Sequence, residues 1–270
     1  MNEQVLDILL LIVAGCLGGF ISGVLGVGGG IIFVPILDYF LIKSGVQSHD
    51  LVAYTLANSF LAILVSGIFG SLPAFKSKSI NISNLFLVGF SAVAAGLTTA
   101  YLINLGTWYS PFLFKMVFCG LLLFTLIKTV RHTESNKVDS PMSLGFGIIA
   151  GLITGVVSGL SGLGGGMIMI PLFMIFGNMT IRKASALSLA IIPILALPNV
   201  MYYALHQPLQ SISGATGHIV WPIVLPMIFG VLMTVKAGVK AANKMSPKTI
   251  KFIFAAFIII TIIRVLSSLL

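Results

Sequence analysis

The chain has 270 residues, of which 58% are hydrophobic and 8% are charged. A soluble domain carries about 25% charged residues, so this composition excludes a globular soluble protein and indicates an integral membrane protein. The net charge of +9 does not predict a nucleic-acid partner, because the lysines and arginines lie in short gaps between apolar runs and form no basic face with interleaved aromatic residues.

Eight apolar segments follow one another along the chain. The continuous ones are about 20 residues long, which lets a helix cross a hydrocarbon core about 30 Å thick. The alternating pattern of membrane β-strands is absent, so the sequence predicts an all-α polytopic membrane protein. Glycines interrupt the segments 5–42 and 143–177, and the continuous segments are 51–73, 84–104, 110–130, 183–205, 217–236 and 249–270.

The two interrupted segments contain nearly the same motif. Residues 22–35 read "SGVLGVGGGIIFVP" and residues 158–171 read "SGLSGLGGGMIMIP"; they agree at eight of fourteen positions, 136 residues apart. Further along, "AYTLA" (53–57) matches "ASALS" (184–188) at an offset of 131. These matches indicate an internal duplication.

The duplication divides the chain into two halves. Residues 1–130 form the first predicted repeat and residues 142–270 the second, joined by the polar linker 131–141, and together they are expected to form one structural unit. Each half holds one interrupted segment followed by three continuous ones.

Lysine and arginine positions predict how the chain is oriented in the membrane. Loops rich in these residues lie in the cytoplasm. The cytoplasmic loops are then 76–83, 131–141 and 238–248, and the external loops are 105–109 and 207–215. Each interrupted segment therefore begins and ends on one side, as a re-entrant helical hairpin, and three transmembrane helices follow it. The second half is upside down relative to the first, and such an inverted repeat is typical of secondary transporters.

The glycines predict an anion-binding site. A helix broken within a membrane is tolerated where the break is buried or lines a polar cavity, and a helix that restarts there presents unpaired N–H groups and a partial positive charge. Because the two hairpins enter from opposite sides, their turns are expected to meet. Helix packing is the alternative use of the glycines. The predicted substrate-binding residues are Ser22, Gly28, Gly29, Gly30, Asn58, Ser59, Ser158, Ser161, Gly164, Gly165, Gly166 and Ser188.

Prolines are candidates for structural and gating roles. Pro35 and Pro171 close the two motifs, whereas Pro193 and Pro198 lie within the segment 183–205. The latter two remove backbone donors and are expected to kink their helix, which is the predicted moving gate.

Catalytic and cofactor motifs are absent from the sequence. "GVGGGI" lacks the third glycine of a dinucleotide fingerprint, no P-loop is present, and the two cysteines, Cys16 and Cys119, have no metal-ligand spacing. We therefore expect neither an enzyme nor a bound metal or cofactor. Six acidic residues are present and none lies in the middle of a continuous segment, so the coupling ion stays open. Asp7 and Asp38 are the only ones within an interrupted segment. A buried carboxylate would be a proton-relay candidate, but Asp38 is expected to be an exposed residue at the end of its hairpin.

The doubled "SGxxGxGGGxxxxP", the two-half arrangement and "RKASALSLAII" (182–192) resemble the sulfite exporter TauE/SafE family of membrane transporters. The resemblance implies a multi-pass protein of a prokaryotic plasma membrane that exports sulfite, sulfonates or related small organic anions. The residues alone predict a transporter of a small anion, with an anion channel as the alternative. They leave open whether two copies form a homodimer.

Overall fold

The computed structural model describes residues 3–77, 80–105, 109–131 and 142–267. Residues 132–141 of the predicted linker and 106–108 of a predicted external loop lie outside these ranges. The described residues form helices and one short β-hairpin, so the all-α prediction is confirmed. The elements are α1 (Glu3–Leu25), α2 (Gly30–Lys43), α3 (Ser48–Lys76), α4 (Ile82–Leu105), α5 (Pro111–Arg131), α6 (Leu144–Ser161), α7 (Gly166–Ile175), α8 (Ile181–Leu205), β1 (Ala215–Thr216), β2 (Ile219–Val220), α9 (Trp221–Lys244) and α10 (Pro247–Ser267).

Within the described residues, six helices are long and apolar enough to cross a membrane: α1, α3, α4, α6, α8 and α9. Helices α2 and α7 are shorter, at 14 and 10 residues, whereas a crossing needs about 20. The chain is therefore a multi-pass helical membrane protein. Both predicted interruptions are present, because α1 ends before α2 begins, and α6 before α7, at the two glycine motifs.

One predicted segment has wrong boundaries. Residues 217–236 were expected to be helical, but β1 and β2 form an antiparallel hairpin and α9 runs from Trp221 to Lys244. Gly217 makes the turn at φ 55°. Pro222 favours a helix start at this point, because the first N–H groups of a helix have no partner within the helix and proline lacks an N–H group. The helix continues into the predicted loop 238–248 because its lysine- and alanine-rich sequence has a high helix propensity.

Glycine-mediated packing joins α1 to α9 and α6 to α4. If Gly15 carried a side chain, its Cβ would lie only 2.0 Å from the backbone oxygen of Met227, which is too close for a real contact. A Cβ added at Gly151 would likewise lie 2.6 Å from the backbone oxygen of Val88. Gly15 and Gly151 occupy matching positions, 136 residues apart. Small residues let membrane helices approach this closely, so the packing role applies to these helical glycines. Helices α3 and α8 pack against each other between the two pairs.

The molecule has two chemically different ends. At the end that we call the loop end, the amide N–H of Gln47 donates to Gln210 Oε1 at 3.0 Å. Lys43 lies at this end, where its Nζ is 2.7 Å from Asp7 Oδ2, so its charge is neutralised. At the opposite end, which we call the lysine end, Arg182 donates to the backbone oxygen of Met245 at 2.8 Å.

The lysine end should face the cytoplasm and the loop end the exterior. In a variant without native cysteines, Leu209→Cys at the loop end should react with a membrane-impermeant thiol reagent in intact cells. Asn243→Cys at the lysine end should react only after permeabilisation; both positions are exposed. Labelling of both cysteines from the same side would contradict this orientation.

Candidate functional site

Each glycine motif ends one helix and starts another through left-handed backbone. Gly26, Gly28 and Gly29 have φ values of 80°, 85° and 85°, and Gly162, Gly164 and Gly165 have values of 67°, 71° and 73°. Residues with a side chain rarely adopt these angles, so glycine is required here for its conformation. We call residues 26–30 the first glycine loop and residues 162–166 the second glycine loop.

The two glycine loops touch each other in the protein interior. A Cβ at Gly30 would lie 2.8 Å from the Cα of Leu163, and a Cβ at Gly166 would lie 2.7 Å from the Cα of Val27. Gly30 and Gly166 are equivalent positions of the motif, and so are Val27 and Leu163. All residues of both loops are buried. The structure thus brings together the predicted glycines of both motifs.

Two predicted serines hold the glycine loops in place. Ser59 on α3 donates to the backbone oxygen of Gly162 at 2.6 Å, and Ser188 on α8 donates to that of Gly26 at 2.8 Å. These matching bonds pair Ser59 with Ser188 at an offset of 129, which differs by two residues from the offset of 131 in the sequence match of "AYTLA" with "ASALS".

The first residues of α2 and α7 carry the donors that an anion needs. Among the described residues, no hydrogen-bond acceptor is present for the amides of the Gly28–Gly30 and Gly164–Gly166 triplets. Neither helix has a side-chain cap. The amides at a helix N-terminus carry a partial positive charge and are the usual place where helices bind anions.

The three predicted motif serines have different surroundings. Ser66 donates to the hydroxyl of Ser22, and Ser161 donates to the backbone oxygen of Val157 at 2.7 Å. The hydroxyl of Ser158, equivalent to Ser22, is buried and has no partner among the described residues.

Sequence reasoning missed two buried polar residues, of which Thr154 lies beside the second glycine loop and Asn199 lies near Gly96 on α4. Thr154 and Asn199 are fully buried, and the oxygens Thr154 Oγ1 and Asn199 Oδ1 have no partner in the described part of the chain. The Thr154 methyl would lie 2.3 Å from a Cβ at Gly165. At the equivalent place in the first half, the Phe33 ring covers Gly18. Buried polar atoms normally have hydrogen-bond partners. The unpaired hydroxyl of Thr154 therefore makes the surroundings of the second glycine loop more polar than those of the first, where the Phe33 ring lies. The Ser-Gly spacing could have pointed to Thr154, which precedes Ser158 by one helical turn.

Asn58 lies apart from the glycine loops and anchors the loop end. Its Nδ2 donates to the backbone oxygen of His218 at 3.0 Å, and its Oδ1 accepts from the amide of Val220 at 2.9 Å. Tyr54 and Asp50 bind the same connection, because the Tyr54 hydroxyl donates to the backbone oxygen of Gln210 and Asp50 accepts from the Gln210 amide. We call these contacts between α3 and residues 206–220 the latch.

His218 makes the latch sensitive to acid. Burial lowers the pKa of its imidazole below the usual histidine value, against smaller opposite effects of the Tyr203 carbonyl and the Asp50 carboxylate. The other titratable groups nearby are Tyr54, Tyr203 and His206. A histidine with a lowered pKa stabilises the fold above its unfolded pKa of about 6.5, and this stability is lost as the pH falls below that value.

The thermal unfolding midpoint should therefore fall more steeply from pH 7 to pH 5 in the parent than in His218→Phe. His206→Gln is the control. Because His206 is exposed, this substitution should leave the steep fall seen in the parent unchanged. Equal slopes in the parent and His218→Phe would rule out His218 as the acid-sensitive group.

The predicted prolines lie within continuous helices. Pro35 is inside α2, Pro171 inside α7, and Pro193 and Pro198 inside α8. The Pro193 ring packs on α3, where its Cδ would lie 2.8 Å from a Cβ at Gly67. The gating role of these residues stays a prediction.

Asp38 was expected to be exposed, but its side chain is only 13% exposed and forms an ion pair. Its Oδ2 lies 3.3 Å from Nζ of Lys115, and both side chains are largely buried. The pair joins α2 to α5. An ionised pair in a membrane protein is costly to bury and is a candidate functional group.

A cavity of about 350 Å³ lies at the lysine end. Its walls come from α1, α3, α8, α9 and α10, and include Val24, Pro73, Leu189, Val239 and Ile250, with Arg182, Lys183, Ser185 and Asn243 as polar or charged members. Ser185 also contacts the first glycine loop, because its Oγ would lie 2.1 Å from a Cβ at Gly26. The cavity therefore ends next to that loop.

These features define a class: a polytopic helical membrane protein in which two glycine-broken segments meet in the interior. The family model for the sulfite exporter TauE/SafE matches residues 11–265. The chain therefore belongs to the sulfite exporter TauE/SafE family of membrane transporters.

Curated relatives agree with this family. The chain is 26% identical to a "Probable membrane transporter protein" of Methanocaldococcus jannaschii over 261 residues, which cover 95% of this chain and 94% of that protein. It is 26% identical to a protein of the same description from Haemophilus influenzae, over 95% of this chain and 97% of that protein. A third relative is "Probable membrane transporter protein YunE" of Bacillus subtilis, at 22% identity over 94% of this chain and 96% of that protein.

Proposed function

We propose that this protein is a secondary transporter that binds a small anion, such as sulfite or a sulfonate, between the two glycine loops. The contact of the two loops carries the proposal, because it brings two helix N-termini with unpaired amides together in the interior. Once the loops separate, the amide N–H groups of both helix N-termini would surround an anion between them. Ser158 and Thr154, whose hydroxyls are unpartnered in the described residues, would add donors from α6.

An inverted repeat with alternating access fits the packing of the helices. The α1–α9 contact is matched by the α6–α4 contact, and the bond from Ser59 to Gly162 is matched by that from Ser188 to Gly26. Two equivalent halves, residues 1–130 and 142–270, would open the site alternately to the two sides. Helix α8 is the proposed moving element, because Pro193 and Pro198 leave carbonyls without their helical partners.

The asymmetry of the two ends supports export from the cytoplasm. The cavity at the lysine end contains Arg182 and Lys183, whereas the latch at the loop end contains Asp50. Anions are attracted to the first end. The relatives come from bacteria and an archaeon, which supports a prokaryotic plasma membrane as the location.

Exchange in proteoliposomes tests the proposal. Vesicles that hold the purified protein and unlabelled sulfite should take up labelled sulfite or a labelled sulfonate with saturable kinetics, and matched organic cations should not compete. Empty vesicles are the control. A steady conductance across a planar bilayer without saturable exchange would favour the anion channel. Exchange of cations instead of anions would reject both functions, because helix N-termini repel cations.

A further inference from the structure

We infer that the cavity at the lysine end is a binding site for organic anions with an apolar body, which it prefers over inorganic oxyanions. The inference rests on the proposed function, since it concerns the cytoplasmic entrance to the same pathway. Three features of the cavity carry it: its size, its walls and the position of its charges.

The size of the cavity suits an organic molecule. Its volume of about 350 Å³ compares with about 30 Å³ for one molecule of liquid water. It falls within the range of about 300–1,000 Å³ that is usual for small-molecule sites. An oxyanion of four or five heavy atoms would leave most of this space to water.

The walls of the cavity are mostly apolar. Val24 from α1, Leu189 from α8 and Val239 from α9 line it, together with Pro73 at the end of α3. Such walls offer an inorganic oxyanion few hydrogen bonds, whereas they gain free energy from contact with an alkyl chain. Small-molecule sites combine apolar walls of this kind with a few polar groups that fix the orientation.

The charges lie at one end of α8. Arg182 and Lys183 are exposed, and they lie in the first turn of that helix, whose N-terminus has no side-chain cap. Arg182 is oriented by its bond to the backbone oxygen of Met245. A guanidinium has five N–H groups and pairs well with planar or branched oxyanions. The acid group of a ligand is thus expected at Arg182, with the apolar body pointing towards Val24.

The far end of the cavity gives this site a place in the pathway. Ser185 lines the cavity and contacts the first glycine loop at Gly26. A ligand held in the cavity therefore lies next to the helix N-termini proposed to bind the anion during transport. The cavity would act as the entrance in which the anion is concentrated before the loops separate.

Calorimetry with a series of alkanesulfonates tests the inference. Ethane-, propane- and butanesulfonate should bind the full-length protein with affinities that rise about fourfold per methylene, as expected for burying a CH₂ group. Sulfite should bind more weakly than all three. Butylammonium should not bind, and protein-free detergent micelles are the control for partitioning of the alkyl chain.

Two variants assign the binding to this cavity. Arg182→Gln should weaken butanesulfonate binding at least tenfold, whereas Lys244→Gln, which removes an exposed charge from α9 outside the lining, should leave it unchanged. Ala242→Phe places a ring in the cavity and should abolish the dependence on chain length while Arg182 is intact.

The outcomes separate the two proposals. If sulfite binds as tightly as butanesulfonate, or if Arg182→Gln and Ala242→Phe both bind like the parent, the inference about the cavity is overturned even though anion exchange persists. If no anion is exchanged by the parent in proteoliposomes, the proposed transport function fails first.

Discussion

Valine in place of Gly30 should reduce anion exchange at least tenfold, and valine in place of Gly166 should do the same. Both glycines have ordinary helical backbone angles, so the substitutions test contact rather than backbone strain. The new Cβ would lie 2.8 Å from the Cα of Leu163 in the first variant and 2.7 Å from the Cα of Val27 in the second. Backbone atoms cannot move aside as a flexible side chain can, so the valine side chain would strain the contact, at a cost of about 1–3 kcal/mol, and would occupy the space between the loops where the anion is proposed to bind.

Gly120→Val is the matched control. Gly120 lies on α5 and is exposed, and no neighbouring atom in the described part of the chain lies within 4 Å of the position of a new Cβ. All three variants should be extracted as monodisperse protein, and exchange of labelled anion in proteoliposomes is the measurement. If Gly30→Val and Gly166→Val transport as fast as Gly120→Val, the contact between the loops has no role in transport.

The sequence predicted the number of apolar segments and the two breaks, because hydrophobic length and glycine runs are local signals. Helix limits follow the apolar runs within a few residues, except at α9, where a turn at Gly217 precedes the helix and the helix continues to Lys244, beyond the predicted end at residue 236. The bonds from Ser59 and Ser188 to the opposite loop could not be derived, because each joins residues more than 100 positions apart.

The sequence also could not separate residues of the glycine loops from those of the latch. Asn58 and Ser59 are adjacent on α3 and were predicted to serve one site, but one binds the connection 206–220 and the other binds the second glycine loop. Neighbouring positions on a helix point about 100° apart, so they face different partners. Which partner each one meets depends on how α3 packs, and a single sequence carries no direct record of that packing.

Leucine in place of Asn58 should open the loop end. The side chains are similar in size, but leucine leaves the amide of Val220 and the backbone oxygen of His218 without their buried partner. Each of the two unsatisfied groups costs about 1–3 kcal/mol, so opening of the latch should become easier by about 2–6 kcal/mol. The proposed transporter would then favour the conformation in which its site faces the exterior.

Accessibility of a cysteine beneath the latch measures this shift. Thr55 is fully buried on α3, one residue from Tyr54, which binds the connection. In a background without native cysteines, Thr55→Cys should react slowly with a membrane-impermeant thiol reagent from outside, and at least tenfold faster when Asn58→Leu is added. Asn84→Leu, which changes a half-buried asparagine near the start of α4, is the control and should leave the rate unchanged. Because alternating access requires one end to close when the other opens, the same Asn58→Leu variant should bind less butanesulfonate in the cavity at the lysine end. Faster labelling with unchanged binding there would mean that the two ends open independently, as expected of a channel rather than of a transporter.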